Sequence, residues 1–300
     1  MNAIEIRGLT KNFGAKQALA GLNMTVPQGA IYGFIGENGS GKSTTEKIIC
    51  GLLPFNGGSV KLYGRDYTDP DIRAKTGVLI EAPGCFPNYS VWNNMLLQEA
   101  NLGIKNAEEE VRKVLKIVRM EGSASNKFKN CSLGMKQRIG IAMALLGDPA
   151  LLILDEPING LDADGMRIMR EVLVDITKNQ GRTVVISSHI LGELEKIATH
   201  YGIIRGGKMI REMTANELER DCPTYISLKS ADMAQTLSVL RHKYERTERT
   251  EQDIRIYDGV NPEEVVNYLY KNAIVVSEIT TRKIGLEEYY IDLMGGEVKR

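Results

Sequence analysis

An α/β domain followed by a small α+β module is what this 300-residue sequence predicts. Over roughly the first 210 residues, strand-like apolar runs alternate with segments of helical periodicity, the pattern of a sheet covered by helices. The clearest runs are Ile31–Ile35, Leu151–Leu154 and Val184–Ser187. They are apolar on successive residues, which suits parallel strands buried on both faces. After Gly206-Gly207-Lys208 the pattern shifts to strand, helix, strand, strand, helix, strand.

Taken in order, the start Met1-Asn2-Ala3-Ile4-Glu5-Ile6-Arg7 alternates like a strand. Between about Pro83 and Gly147 the pattern is mostly helical, with Val91–Ala100, Glu108–Val118 and Met135–Leu146 reading as helices; a helical insertion at about 84–147 is the simplest account. The domain boundary is expected at 213/214. In the segment 214–300, Tyr225–Leu228, Glu245–Thr250, Ile254–Tyr257 and Ile274–Thr280 read as strands, and Ala231–His242 and Pro262–Lys271 as helices. That βαββαβ order suggests a ferredoxin-like module. Leu286–Met294 is a final amphipathic segment.

Composition excludes several classes of function. Hydrophobic residues make up 43% and charged residues 25%, which is ordinary for a folded soluble chain. Lys plus Arg and Asp plus Glu are both 38, so charge signals no nucleic-acid surface. The longest apolar run, Ile141–Leu146, is far short of the ~20 residues that cross a bilayer. The start lacks the apolar stretch of a secretory signal, so a cytosolic location is expected. Cys50, Cys85, Cys131 and Cys222 form no C-x-x-C pair, which argues for four reduced thiols and against a zinc site or a disulfide framework.

Chemistry enters at Gly36-Glu37-Asn38-Gly39-Ser40-Gly41-Lys42-Ser43, which fits G-x-x-x-x-G-K-[ST] between an apolar strand and the helical segment Thr44–Leu52. Glycines let the backbone N–H groups converge on phosphates, and the helix N-terminus adds positive potential. Lys42 would bridge the β and γ phosphates and the Ser43 hydroxyl would hold Mg²⁺. Further on, Leu151–Leu154 runs into Asp155-Glu156. The C-terminal ends of strands are where an open α/β sheet binds ligands. Asp155 can reach the Mg²⁺ shell, and Glu156 can orient or deprotonate the attacking water.

The segment Cys131-Ser132-Leu133-Gly134-Met135-Lys136-Gln137-Arg138 opens a helix ahead of Asp155 and resembles the signature sequence of ATP-binding-cassette ATPases. Phe13 resembles the aromatic adenine stacker, Asn159-Gly160-Leu161-Asp162 the D-loop, and His189 in Ser187-Ser188-His189 the switch histidine. The resemblance spans residues 1–210 and implies a P-loop ABC-ATPase domain, a mixed sheet with a helical subdomain. It adds Phe13, Ser132, Gly134, Gln137 and Asp162 to Gly36, Asn38, Gly39, Ser40, Gly41, Lys42, Ser43 and Thr44 as ATP contacts. Glu156 and His189 are implied as catalytic. Two positions depart from the family. Where a Gln usually touches the metal and the water, Ile80-Glu81-Ala82-Pro83 presents Glu81, implied to keep a catalytic and metal-contacting role with altered charge. Glu46 stands where an apolar residue is usual.

Glu81, the Ser-Leu-Gly-Met-Lys-Gln signature and the phrase Ser187–Glu195 resemble one branch, the ATPase subunits of bacitracin and lantibiotic export and self-protection. The resemblance implies head-to-tail pairing with a second cassette, identical or not, so that ATP lies between one chain's phosphate loop and the other's signature helix. It also implies a separate membrane permease docking near Phe86–Met95 and a peripheral location on the inner face of the membrane. Phe86, Tyr89 and Trp92 could equally fill the core of the helical subdomain. The C-terminal module is expected to serve dimer support, regulation or simple packing. The rival reading is a soluble cassette ATPase acting on ribosomes or DNA, although neither the second cassette nor the long coiled coil of those types is present.

Overall fold

A computed structural model describes residues 1–104, 106–259 and 261–295, and the chain divides into two compact units, Met1–Ala215 and Asn216–Arg300.

The first unit opens with two long strands, β1 (Asn2–Phe13) and β2 (Lys16–Pro27), paired antiparallel through a tight turn. Then come β3 (Ile31–Ile35), α1 (Lys42–Ile49), β4 (Gly57–Leu62), β5 (Arg65–Asp66), α2 (Pro70–Arg73) and β6 (Thr76–Leu79). Three helices follow, α3 (Val91–Leu102), α4 (Ala107–Ile117) and α5 (Leu133–Leu145). The unit closes with β7 (Leu151–Asp155), α6 (Ala163–Lys178), β8 (Thr183–Ser187), α7 (Leu191–Glu195), β9 (His200–Arg205) and β10 (Lys208–Thr214).

Two sheets result. One is antiparallel, in the order β2-β1-β4-β5; the other runs β10-β9-β3-β8-β7-β6, parallel except for β10. Every residue of β3, β7 and β8 is buried, as the unbroken apolar runs require of strands covered on both faces. Ile4, Leu9 and Leu19 from the antiparallel sheet share one core with Phe34, Ile48, Ile153 and Val185, which fixes α1 between the two sheets. Each such aliphatic side chain contributes about 1.5–3 kcal/mol on burial.

The helical segment forms for local reasons. Ser90 Oγ accepts from the Asn93 N–H at 3.0 Å to start α3, and Gly103 ends it in the left-handed region at φ 71. Helix α4 carries Glu108, Glu109 and Glu110 in its first turn and Lys116 in its last, matching the helix dipole. Helix α5 lies so close to β6 that a Cβ on Gly77 would fall 1.9 Å from the Ala144 carbonyl oxygen, and only glycine permits that approach. This contact ties the signature helix to the strand that leads into Glu81.

The second unit contains α8 (Ala215–Asp221, which begins on the last residue of the first unit), β11 (Thr224–Ser230), α9 (Met233–Arg241), β12 (Thr247–Arg249), β13 (Ile254–Ile256), α10 (Pro262–Lys271), β14 (Val276–Lys283) and α11 (Leu286–Leu293). The strands pair antiparallel in the order β12-β13-β11-β14, the split arrangement of a ferredoxin-like βαββαβ module. Its own core holds Ile226, Leu228, Leu240, Ile254, Val265 and Leu269. The last strand begins two residues later than the apolar run from Ile274 suggests. Ala273 turns into the left-handed region at φ 59 and the Ile274 N–H donates to the Leu269 carbonyl at 3.0 Å, so Ile274 closes α10. Among the described residues no helix is long and apolar enough to cross a membrane.

Candidate active site

The motif residues gather where β3, β6, β7 and β8 end, the C-terminal edge of the parallel strands. A cleft of about 480 Å³ is lined there by Asn38, Gly39, Gly41, Lys42, Ser43 and Thr44 from the phosphate loop, Asp155 and Glu156 at the end of β7, and Phe13, Lys16 and Ala18 from the β1–β2 hairpin. Phe13 is about half exposed, with Lys11 Nζ seated over its ring 4.9 Å from the centre.

The loop is shaped to receive anions. Gly39 and Gly41 lie in the left-handed region at φ 80 and 114, and a Cβ on Gly41 would meet Leu19 at 2.7 Å. Gly41 gives α1 no side-chain cap, so the first-turn N–H groups of that helix stay free for phosphate oxygens. Lys42 is buried, and its ammonium donates to the Gly36 carbonyl at 2.6 Å and the Glu37 carbonyl at 3.2 Å. The charge thus curls over its own loop, on carbonyls that a phosphate can displace. Ser40 Oγ is buried with no partner. These unfilled donors are what a bound triphosphate would complete.

Asp155 ends β7 with Oδ1 accepting from the Ser187 hydroxyl at 2.7 Å, which orients the carboxylate and leaves its other oxygen for a ligand. Glu156 sits at φ 50, a left-handed conformation that costs a side-chain-bearing residue about 1–2 kcal/mol. Its N–H donates to the Ser187 carbonyl at 3.1 Å, holding the turn. Its Oε2 lies 2.6 Å from His189 Nδ1. Glu81 also adopts a left-handed backbone, φ 66, and its Oε1 accepts from Lys47 Nζ at 2.9 Å. The hydrogen bond from Lys47, and then its charge, hold the Glu81 carboxyl below its ordinary range.

Beneath the site, Glu46 is fully buried with neither carboxylate oxygen hydrogen-bonded. The nearby Ser187 hydroxyl commits its proton to Asp155. Burial, reinforced by the Asp155 charge, pushes the Glu46 pKa up to about 8. The departure noted in the sequence is therefore a carboxyl held in its neutral form near pH 7.

The remaining residues expected to bind ATP lie elsewhere. Ser132 caps α5 by accepting from the Met135 N–H at 3.3 Å, and a Cβ on Gly134 would meet only Leu161, at 3.6 Å. Gln137 Oε1 is buried without a partner, and Asp162 caps α6 by accepting from the Gly165 N–H at 2.8 Å. None of these four lines the cleft, and neither do Glu81 and His189: His189 contacts the lining residue Glu156, and Glu81 follows β6, the strand paired with β7. One chain thus presents a phosphate loop and a separate helix start. Lys16 and Lys47 went unnoticed in the sequence because a lone lysine carries no pattern; only the fold brings Lys16 to the cleft and Lys47 to Glu81. Phe86 and Tyr89 are about half exposed, with ring centres 5.3 Å apart, while Trp92 lies 4.9 Å from the Arg112 guanidinium. A wider groove of about 1030 Å³ sits at the opposite ends of β7 and β8, where Arg182 pairs with Asp148 at 2.6 Å and Arg119 with Glu171 at 2.6 Å.

Residues 19–159 match the family described as ABC transporter. The bacitracin transport ATP-binding protein BcrA of Bacillus licheniformis is 37% identical over 305 residues, covering 98% of this chain and 97% of that protein. The lantibiotic transport ATP-binding protein SrtF of Streptococcus pyogenes is 42% identical over 209 residues, 70% of this chain and 90% of its own. Among solved structures, cbiO1 from Clostridium perfringens, part of the ABC transporter complex cbiONQ, superposes with a TM-score of 0.67 at 26% identity, over 72% of this chain and 90% of that one. With the phosphate loop, the paired acids at the end of β7 and the capped signature helix in place, the chain belongs to the ABC transporter family as one of its ATPase chains.

Proposed function

We propose that this chain hydrolyses MgATP at a site completed by a second cassette, and so powers a separate membrane permease that exports, or protects against, a peptide antibiotic of the bacitracin or lantibiotic type. The observation that carries the reading is the division of labour within one chain. Phe13, the loop residues Asn38, Gly39 and Gly41–Thr44, Asp155 and Glu156 line one wall of a nucleotide site, whereas Ser132, Gly134, Gln137 and Asp162 lie outside it, Ser132 and Asp162 at helix starts. Head-to-tail pairing of two such chains, identical or not, places the Ser132 helix start against the γ-phosphate held by the other chain's Lys42. The cargo class comes from the resemblance to BcrA and SrtF.

In this reading Phe13 stacks on the adenine, the loop N–H groups and Lys42 bind the phosphates, and Glu156 orients and deprotonates the attacking water while His189 holds Glu156. The donor set also suits Mg²⁺. Ser43 and the free oxygen of Asp155 are hard oxygen ligands facing the cleft, with Glu81 beside it. Among the described residues no group of three or more His, Cys, Asp or Glu could cage a metal alone. That matches an ion held by one or two protein oxygens plus phosphates. Bound there, Mg²⁺ would neutralise charge on the β and γ phosphates. Residues 1–213 act as the ATPase domain, with the helical subdomain 84–147 offering Phe86–Met95 to the permease. Residues 214–300 act as an accessory module for dimer support or regulation. The chain would work at the inner face of the membrane.

The test is copurification of the tagged chain with a membrane subunit, together with peptide tolerance in cells carrying both. Glu156→Gln should trap an ATP-bound pair of cassettes and abolish tolerance. A Glu156→Gln chain that hydrolyses ATP at the wild-type rate beside its membrane partner would remove Glu156 from the reading.

A further inference from the structure

We infer that Lys47 is a positioning residue for Glu81: it holds the Glu81 carboxylate at the mouth of the nucleotide cleft and cancels its charge there. The loop after β6 can then approach the bound phosphates without adding a net negative charge. The inference rests on the reading of the cleft as the ATP site.

The geometry is specific. Lys47 lies on α1, the helix that begins at the phosphate-binding Lys42, and Glu81 lies 34 positions further along the chain, just past the end of β6. Their Nζ and Oε1 atoms are 2.9 Å apart. The backbone of Glu81 turns through φ 66, which a non-glycine residue adopts only when its surroundings hold it. The Lys47 hydrogen bond is the contact made there by the Glu81 side chain.

The pair does little for stability. The side chains are 37% and 73% exposed, and such pairs are screened by solvent and salt. What it changes is where charge sits. The cleft already presents Asp155 and Glu156, and ATP brings several further negative charges. An uncompensated carboxylate beside them would repel the γ-phosphate. Lys47 also feels the Asp155 charge, which adds to the Glu81 hydrogen bond in raising its ammonium pKa, so it belongs to the same field. A glutamine at position 81 would need no such partner.

The experiment uses the full chain as wild type, Lys47→Met, Glu81→Gln and the double variant, with ATP affinity measured calorimetrically at low salt and with Mg²⁺ chelated, so that no hydrolysis enters. Lys47→Met should weaken ATP binding about 3- to 10-fold. Adding Glu81→Gln should return affinity to within about twofold of the Glu81→Gln single variant, since no charge is then left to compensate. Lys47→Arg should bind as wild type, and raising salt should shrink the Lys47→Met effect. Equal weakening by Lys47→Met in both backgrounds would mean that Lys47 acts on the phosphates directly, and no weakening would mean that it does not tune the site; either overturns the inference. Failure of the wild-type chain to bind ATP would instead overturn the reading of the cleft.

Discussion

His189 Nδ1 lies 2.6 Å from Glu156 Oε2, joining the ends of two neighbouring parallel strands. An ionised carboxylate only accepts, so the ring must present an N–H at Nδ1. That contact fixes one oxygen of Glu156 and leaves the other for a water. Glu156→Gln should keep ATP binding and lower turnover by about 10²-fold or more. His189→Ala should lower turnover by about 10-fold or more with ATP affinity nearly unchanged, because it loosens the base without touching the phosphate loop. Steady-state hydrolysis and equilibrium binding on the same preparations check both; a His189→Ala loss confined to affinity would place His189 on the phosphate instead.

Lys42 is buried, and its ammonium rests on the Gly36 and Glu37 carbonyls. Removing it leaves those carbonyls facing incoming phosphates with no intervening positive charge. Lys42→Ala should therefore weaken ATP binding by about 100-fold or more. Direct titration with ATP decides it, and near-wild-type affinity would show that the loop N–H groups suffice.

Much of this was legible in the sequence, for physical reasons that differ by element. The strands β3, β7 and β8 declare themselves because a strand buried on both faces needs a run of successive apolar residues through its middle. The loop Gly36–Ser43 declares itself because only glycine tolerates the turns at Gly39 and Gly41. The antiparallel pairing of β1 with β2 and β4 was not legible: it depends on register between segments up to about 60 residues apart and on bulges that break alternation. Glu81 was visible as a departure, but Lys47 was not, since an exposed lysine on a helix is ordinary until the fold shows what it meets.

The two units have separate cores, Ile4 to Ile204 in the first and Ile226 to Ile274 in the second. Every residue that lines the nucleotide cleft lies at or before Glu156. A chain ending at Ala215 should therefore fold and bind ATP within a few-fold of the full chain. Calorimetric titration of both would show it. Complete loss of binding by a truncated chain that still unfolds cooperatively would give the second unit a direct part in the nucleotide site.

Glu46 makes the stability of the ATPase unit depend on pH. In the unfolded chain its carboxyl titrates near 4.5, and in the folded chain near 8, raised first by burial and then by the Asp155 charge. Below about pH 4.5 both states are protonated and Glu46 imposes no penalty. Between the two values the folded state holds a proton that the unfolded state has released, so this residue lowers stability steadily as pH rises through that window, and the penalty levels off above about 8. At roughly 1.4 kcal/mol per pKa unit the full effect is on the order of several kcal/mol. Glu46→Gln, which keeps the shape and cannot ionise, should therefore stabilise the ATPase unit by ~2–4 kcal/mol more at pH 8 than at pH 5. Glu46→Leu should do the same and also spare the desolvation of an unpaired polar group. Denaturant unfolding of the 1–215 chain and its two variants across pH 5 to 8 measures the difference. A gap between variant and parent that stayed constant across that range would mean that Glu46 is ionised in the fold, with its charge balanced by Lys42, whose attraction is among those acting on it.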